Sequence, residues 1–411
     1  MTAAVPRRPP GEPSQPPARA APPARAARAA PPGQAPPGQA APPVPATASS
    51  SAAPPGSRTP PLVSPAATGS ATPSRPASEP ASAAAPSTAV TTTLERERPG
   101  RALAVAVAAL AVAVIVGVSV GPADLSLPTI AEALLVRLPW HPALTVPPID
   151  TAIVWQIRLP RVVLGALVGA MLAGGGAAYQ GVFRNPLADP YLLGVAAGAG
   201  LGATLIIVGG FNMSLLPPAA FAGAVGAVAI TYVLGSGRGG HAPGAGTASI
   251  VLAGVAVAAL LMALQEYLQQ QHTQSLPQIY SWILGELSLA SWSDVTLILP
   301  YVVISAGLLI AHRRLLDVLR VGEAEASSLG VDVSRLRLTV VLAATLGTAA
   351  AVAVSGLIGF VGIIVPHTVR LTAGASYRIV LPVSMIGGAA FLVLADVAAR
   401  TVQAPAEVPI G

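Results

Sequence analysis

The sequence predicts an all-α, polytopic membrane protein, and three observations carry that prediction. Hydrophobic residues make up 53% of the 411-residue chain and charged residues only 10%, against about 25% charged in soluble domains. From residue 101 onward, uncharged apolar runs recur, most of them near the ~20 residues that a helix needs to cross a bilayer. Between the runs stand short segments rich in arginine, proline, asparagine and glycine, the chemistry of helix ends and turns.

Residues 1–100 are different. Pro, Ala, Ser and Thr dominate them, and such a segment cannot bury enough apolar surface to offset the entropy of ordering. A disordered cytoplasmic tail is expected. No apolar stretch follows the early arginines, which argues against a signal peptide. Residues 1–101 hold ten Arg and four Glu, the whole net charge of +6, whereas residues 102–411 balance thirteen Arg against thirteen acids. The excess charge therefore implies no nucleic-acid groove. The tail is either a dispensable solvated segment or a basic tether to lipid headgroups.

Residues 101–411 form the expected membrane domain, with nine spans. The first, 102–120, is an Ala/Val run after Arg101. The second, 162–183, follows Arg158-Leu159-Pro160-Arg161, where proline suits a first helical turn. It stops at Asn185-Pro186-Leu187-Ala188-Asp189-Pro190. The uncharged stretch 190–237 is too long for one crossing, and the turn-like residues 211–218 divide it into the third and fourth. The fifth, sixth and seventh are 248–268, 294–312 and 337–355. A shorter piece, 357–371, is the eighth, and 379–399 the ninth. Alternating from a cytoplasmic N-terminus places Arg184, Arg238, Arg313, Arg314, Arg320, Arg335, Arg337, Arg370 and Arg378 inside. Only Arg137, Arg158, Arg161 and Arg400 fall outside, a positive-inside bias.

Glycine spacing suggests how the spans pack. Gly165 and Gly169 form one small-xxx-small pair, and Gly194, Gly198 and Gly202 form a longer ladder. Gly174 to Gly176 and the series Gly356, Gly359, Gly362 fit the same need. In lipid no hydrophobic gain draws helices together, so close backbone approach must do more of the work.

Several classes of chemistry are excluded. The chain has no cysteine, so disulfides, thiolate metal sites and thiol catalysis are absent. It has no lysine either, and a Walker A loop needs one to reach the phosphates; an ATP motor would be a separate polypeptide. No nucleophile–base pair suggests catalytic residues, and no ligand-spaced cluster suggests a metal or cofactor. His367, beside Pro366, reads as a helix-end hydrogen bonder. Asp396 lies one turn before Arg400, a spacing that allows a structural ion pair. Glu266, Glu286 and Asp294 lie near span ends, where water reaches them. Without a buried chain of carboxylates and histidines, a proton-driven carrier is disfavoured.

Three long stretches carry a resemblance. They are residues 158–202, the pattern Gly322-Glu323-Ala324-Glu325-Ala326-Ser327-Ser328-Leu329-Gly330, and residues 356–370, GLIGFVGIIVPHTVR. In order and wording the chain resembles the permease subunits of binding-protein-dependent ABC importers for iron-siderophores, haem and cobalamin, the FecCD type. The resemblance implies a ten-span fold, of which nine are expected here and the last is missing. It also implies a permease dimer, homo- or heteromeric, two cytoplasmic ATP-binding subunits and an extracytoplasmic solute-binding protein. Transport would run by alternating access in a bacterial cell membrane, with no covalent step on the permease.

Residue by residue, the segment 155–161 looks like the family's external docking element, with Arg158, Arg161 and Arg400 receiving carboxylates of the binding protein. On residue chemistry alone the same arginines serve as headgroup anchors. Residues 313–337 read as two short helices. Their Gly322, Glu323, Ala326, Leu329 and Gly330 resemble the element that couples to the ATPase; an ordinary solvated connector is the alternative. The family often has a basic residue where Ser327 stands, and Asp-His-Arg where this chain has Ser376-Tyr377-Arg378. The competing function is an ion-gradient-driven secondary transporter.

Overall fold

The computed structural model describes residues 99–137, 146–236, 245–404 and 406–411. The expected tail, apart from Pro99 and Gly100, lies outside the described residues, as does Arg238. Among the described residues every regular element is helical and none is a strand.

Helix α1 spans Pro99–Ser119, and a short α2, Leu127–Leu135, follows it. Ser126 starts α2 by accepting a hydrogen bond from the Thr129 N–H at 3.3 Å, as an N-cap should. Next come α3 (Pro148–Ala152), a π-helical turn (Ile153–Arg158) and α4 (Leu159–Val182). Together they make one unbroken helix of 35 residues, Pro148–Val182. The expected start at 162 is therefore too late. Arg158 and Arg161 read as a boundary in the sequence, but both lie within the helix. Pro160 brings no N–H, and the wider π turn just before it accommodates the missing bond.

Helix α5 is Val195–Val208 and α6 is Leu216–Gly235, so the long apolar stretch does divide between 208 and 216. Helices α7 (Ala245–Gln271), α8 (Leu276–Ile283) and α9 (Trp292–Leu319) follow. A capping box between Ser291 and Asp294 starts α9, which gives Asp294 a structural duty. The remaining helices are α10 (Glu323–Ser328), α11 (Val333–Ser355), α12 (Val361–Ala373) and α13 (Tyr377–Thr401). Because α9 continues to Leu319, residues 313–337 hold one short helix between two long ones, not two short helices.

Helix α4 is the axis of the bundle and touches α9, α11, α12 and α13. It is apolar all round, as a helix surrounded by protein must be. Its apolar window is 78% buried, whereas that of α7 is 17% buried; α7 lies at the periphery of the chain. Close approach is built on small residues. A Cβ on Gly169 would lie 2.8 Å from the Gly388 carbonyl carbon of α13, and one on Gly198 would lie 2.7 Å from that of Gly223 on α6. Gly202 sits equally close to Ala219. At Gly165 the nearest neighbour is only the tip of Leu287, 3.2 Å away. Gly194 serves differently, capping α5 with φ +88°, a left-handed conformation that glycine adopts freely.

The count of nine expected spans is not confirmed. Among the described residues, seven helices are long and apolar enough to cross a membrane by length and composition, and α5 and α12 are shorter. With 14 and 13 residues, they are about 20 Å long at ~1.5 Å per residue, against a hydrocarbon core of ~30 Å.

The cause is that both begin inside the bundle. After α4 the chain turns at Arg184, with φ +52°, and folds back until Pro190 meets Gly175 and Gly362. The second irregular stretch, residues 356–360, runs into α12 through Phe360, at φ +63°. Tyr191 ties the two stretches together: its hydroxyl donates to the Ile358 carbonyl at 2.9 Å and accepts from the Ile358 N–H at 3.2 Å. Gln180 donates to the carbonyls of Ala188 and Gly362. Irregular backbone survives at membrane depth only when protein satisfies it in this way.

The described arginines separate by end. Arg158, Arg161 and Arg400 lie where α1 and α13 finish and α4 begins. Arg313, Arg314, Arg320, Arg335, Arg337, Arg370 and Arg378 lie at the opposite end, where α9 and α12 finish and α11 and α13 begin.

Candidate functional site

Two constellations stand out, one at each end of the bundle. The first is a buried charge cluster. Arg158, Arg161 and Arg400 are 3%, 6% and 3% exposed and Asp396 is 2% exposed, so none of the three arginines reaches out to headgroups.

Arg158 donates to the carbonyls of Val118 and Ser119, both at 2.8 Å, and to that of Ala123. These are acceptors in the last turn of α1 and just past it, where a cation also complements the helix dipole. Arg400 donates to the Gly117 carbonyl at 2.9 Å and lies 3.5 Å from Asp396. Arg161 is the hub. Its Nε and Nη2 bind Asp396 at 3.0 and 2.8 Å, and its Nη1 and Nη2 bind Glu407 at 2.8 and 2.9 Å. Such forked pairing suits the planar guanidinium.

Sequence reasoning found the three arginines and the Asp396–Arg400 spacing. It missed that Asp396 chiefly serves Arg161, 235 positions away, and it missed Glu407 altogether. No periodic pattern marks Glu407, which stands in a short extended segment before Pro409.

Charge-assisted hydrogen bonding from Arg161 holds the Glu407 carboxyl below the usual carboxylate range, with burial opposing it. A depressed carboxylate stabilises the fold above its unfolded pKa of ~4.3, and that contribution disappears as pH falls through the lower folded value. The tie of segment 406–411 to α4 should thus be intact at pH 7 and lost well below pH ~4. The melting temperature of wild type should fall across that window, while the Val408 amide, bonded to the Ala399 carbonyl, keeps its protection. In a Glu407→Gln variant the fall in melting temperature over the same window should be smaller.

The second constellation is α10 and its flanks at the opposite end. Gly322 precedes the helix and Gly330, at φ +83°, ends it in the left-handed form that favours glycine. Ala326 is buried, whereas Ala324, Glu325, Ser327, Ser328 and Gly330 are exposed. Leu329 is 71% exposed and Val321 69% exposed. Glu323 holds the short helix down by accepting from Arg337 at 2.5 Å and from Thr247 at 3.3 Å. The outcome is a small-residue surface with a protruding leucine, anchored from beneath by a half-buried ion pair.

Next to it lies a polar network that sequence reasoning did not find. Asp317 accepts from the Tyr377 N–H and the Ser376 hydroxyl. Arg370 donates to Gln180 and Tyr377. The residues Ser376-Tyr377-Arg378, which depart from the family's usual wording, thus fasten the start of α13 to the end of α9. His367 is exposed, and among the described residues no group of three His, Asp or Glu side chains could hold a metal.

The chain is similar to known proteins. The profile of the FecCD transport family matches residues 109–411. The cobalamin import system permease protein BtuC of Halobacterium salinarum is 40% identical over 332 residues, 71% of this chain and 86% of that protein. The hemin transport system permease protein HmuU of Yersinia pestis is 43% identical over 63% of this chain and 78% of its own length. The Fe(3+) dicitrate permease protein FecD of Escherichia coli is 36% identical over 63% and 80%. A solved structure described as an inward-facing ABC transporter of the metal-chelate type superposes with a TM-score of 0.66 at 29% identity. It covers 76% of this chain and 94% of its own.

Proposed function

Because the chain belongs to the FecCD transport family, a family of multi-pass membrane permeases, we propose that it is the pore-forming subunit of a binding-protein-dependent ABC importer in the bacterial cell membrane. We take the solute to be a bulky iron-siderophore, with haem and cobalamin as the nearest alternatives. Its relatives carry names of cobalamin, hemin and ferric-citrate permeases, and none of these favours the ion-gradient-driven carrier.

The observation that carries the reading is α10. A short helix with a small-residue face, an exposed Leu329 and a half-buried Glu323–Arg337 tether is suited to seat in a groove of another protein and to move with it. The chain has no lysine for a phosphate-binding loop, so the energy source must be that other protein. In this reading two permease subunits surround the path and two ATP-binding subunits close beneath them on binding ATP. The force passes through Gly322, Glu323, Ala326, Leu329 and Gly330 to α9 and α11, which flank the coupling helix. Solute delivered by an extracytoplasmic binding protein at the Arg158, Arg161, Arg400 end then moves inward unchanged. The positive-inside rule assigns the α10 end to the cytoplasm.

The test is co-purification. The chain should bring down an ATPase subunit, and Leu329→Asp should weaken that association at least tenfold, about 1.4 kcal/mol, because an unpaired carboxylate would replace an apolar anchor. Solute uptake into proteoliposomes by this chain alone, without ATP, would overturn the proposal.

A further inference from the structure

We infer that Glu407 is a displaceable cover on Arg161, occupying the place that a carboxylate of a docking protein takes over. The inference rests on the reading that this end of the bundle receives a binding protein, and it adds how the site is kept closed until one arrives.

The two carboxylates on Arg161 are not equivalent. Asp396 is 2% exposed and sits on α13, where it is shared between Arg161 and Arg400. Glu407 has a side chain 31% exposed and belongs to a non-helical segment. Asp396 takes the Nε side of the guanidinium and shares Nη2 with Glu407, which alone takes Nη1. The inner half of the fork is therefore permanently engaged, and the outer half is engaged only by a half-buried side chain.

The backbone near Glu407 does not depend on that pairing. Val408 donates to the Ala399 carbonyl, Ile410 to that of Gly285 and Gly411 to that of Leu284, so the carboxylate can leave while the segment stays in place. There is room beside it. A cavity of about 60 Å³ lies among Arg161, Ser281, Glu286, Glu407 and Val408, adjacent to the ion pair.

Electrostatics favours exchange over simple loss. Among the described residues, the carboxylates paired with Arg161 and Arg400 are Asp396 and Glu407 alone, and the Arg400 Nε has no partner. Swinging Glu407 away without replacement would leave Arg161 half unpaired in a nearly dry site, which is costly. A second carboxylate with the same forked geometry removes that cost. Such a group on an acidic protein surface is the ligand this arrangement selects, and it competes with Glu407 for one pair of N–H donors.

The experiment uses the full chain in lipid nanodiscs. Phenylglyoxal modification of individual arginines is followed by peptide mass spectrometry in wild type and Glu407→Gln. The expected result is that Arg161 reacts about tenfold faster in the variant. Arg158, whose donors are held by backbone carbonyls, should react equally slowly in both. Equal rates at Arg161 would overturn the cover. A rise at Arg158 as well would report unfolding, and Glu407→Asp, which keeps the charge on a shorter arm, then decides: an intermediate Arg161 rate supports the cover, a wild-type rate overturns it.

A second arm adds the solute-binding protein that co-purifies with the chain. It should protect the unmasked Arg161 in Glu407→Gln and bind that variant more tightly than wild type. If Arg161 is unmasked but the binding protein neither protects it nor binds more tightly, the docking reading fails, and the exchange with it, while the intramolecular cover stands.

Discussion

Gly169→Leu is expected to leave little or no folded protein after extraction into detergent. A Cβ at this position would sit within 2.8 Å of the Gly388 carbonyl carbon and of Leu392 Cβ, and Gly388 in turn lies directly against Gly169 and Ala173. The obstacle is backbone, so no rotamer change relieves it; α4 and α13 must separate. Ordinary overpacking costs about 1–3 kcal/mol, and forcing apart the two helices at the centre of the bundle should exceed that. In a bilayer the loss is not recovered by apolar burial elsewhere, because lipid tails are as apolar as leucine. Gly165→Ala is the matched control on the same face. There the nearest atom is the flexible end of Leu287 at 3.2 Å, so its melting temperature should stay within a few degrees of wild type. Size-exclusion profiles and thermal melts of both variants check the contrast. A Gly169→Leu protein that elutes and melts like wild type would show that α4 and α13 do not cross where the glycines place them.

What the sequence could and could not reveal follows from the physics of each signal. Uninterrupted apolar runs mark helices such as α11 and α13 to within a few residues, because a spanning helix must satisfy all its own backbone groups. The start of α4 was hidden because Arg158 and Arg161 look like boundary residues, and only the structure shows their donors turned inward on α1, Asp396 and Glu407. Helix length at α5 and α12 was not legible for another reason. Hydropathy counts apolar residues and cannot tell a helix from a buried irregular stretch held by Tyr191 and Gln180. Phe360, in the left-handed region without being glycine, has no sequence signature at all. The α10 surface was legible through its resemblance to a known wording, and the network of Gln180, Asp317, Arg370 and Tyr377 was not. Its members come from four separate segments, and only the fold brings them together.

Asp396→Asn should be the most damaging side-chain change at the arginine end, costing about 3–5 kcal/mol, the range for breaking a buried ion pair by removing one partner. Asp396 is 2% exposed and, among the described residues, is the only carboxylate paired with both Arg161 and Arg400. Without its charge, Glu407 alone would face three buried guanidinium groups, and the orphan Nε of Arg400 would gain company rather than relief. An asparagine keeps the shape, so the loss would report charge rather than cavity formation.

The decisive comparison is a variant that combines Asp396→Leu with Arg161→Met. Because Asp396 also pairs with Arg400, Arg400→Met is added; replacing the whole buried network by apolar groups of similar volume is often close to neutral, so this triple variant should melt higher than Asp396→Asn alone. A double-mutant cycle on Asp396 and Arg161 isolates the coupling between those two residues. The same pair of proteins separates fold from function. On the proposed docking reading, the triple variant should recover stability yet fail to hold a docking partner, since it lacks the guanidinium proposed to receive the partner's carboxylate. Were Asp396→Asn to melt as wild type does, the cluster would be solvated rather than buried. The inward placement of Arg158, Arg161 and Arg400, without which Glu407 covers nothing, would then be wrong.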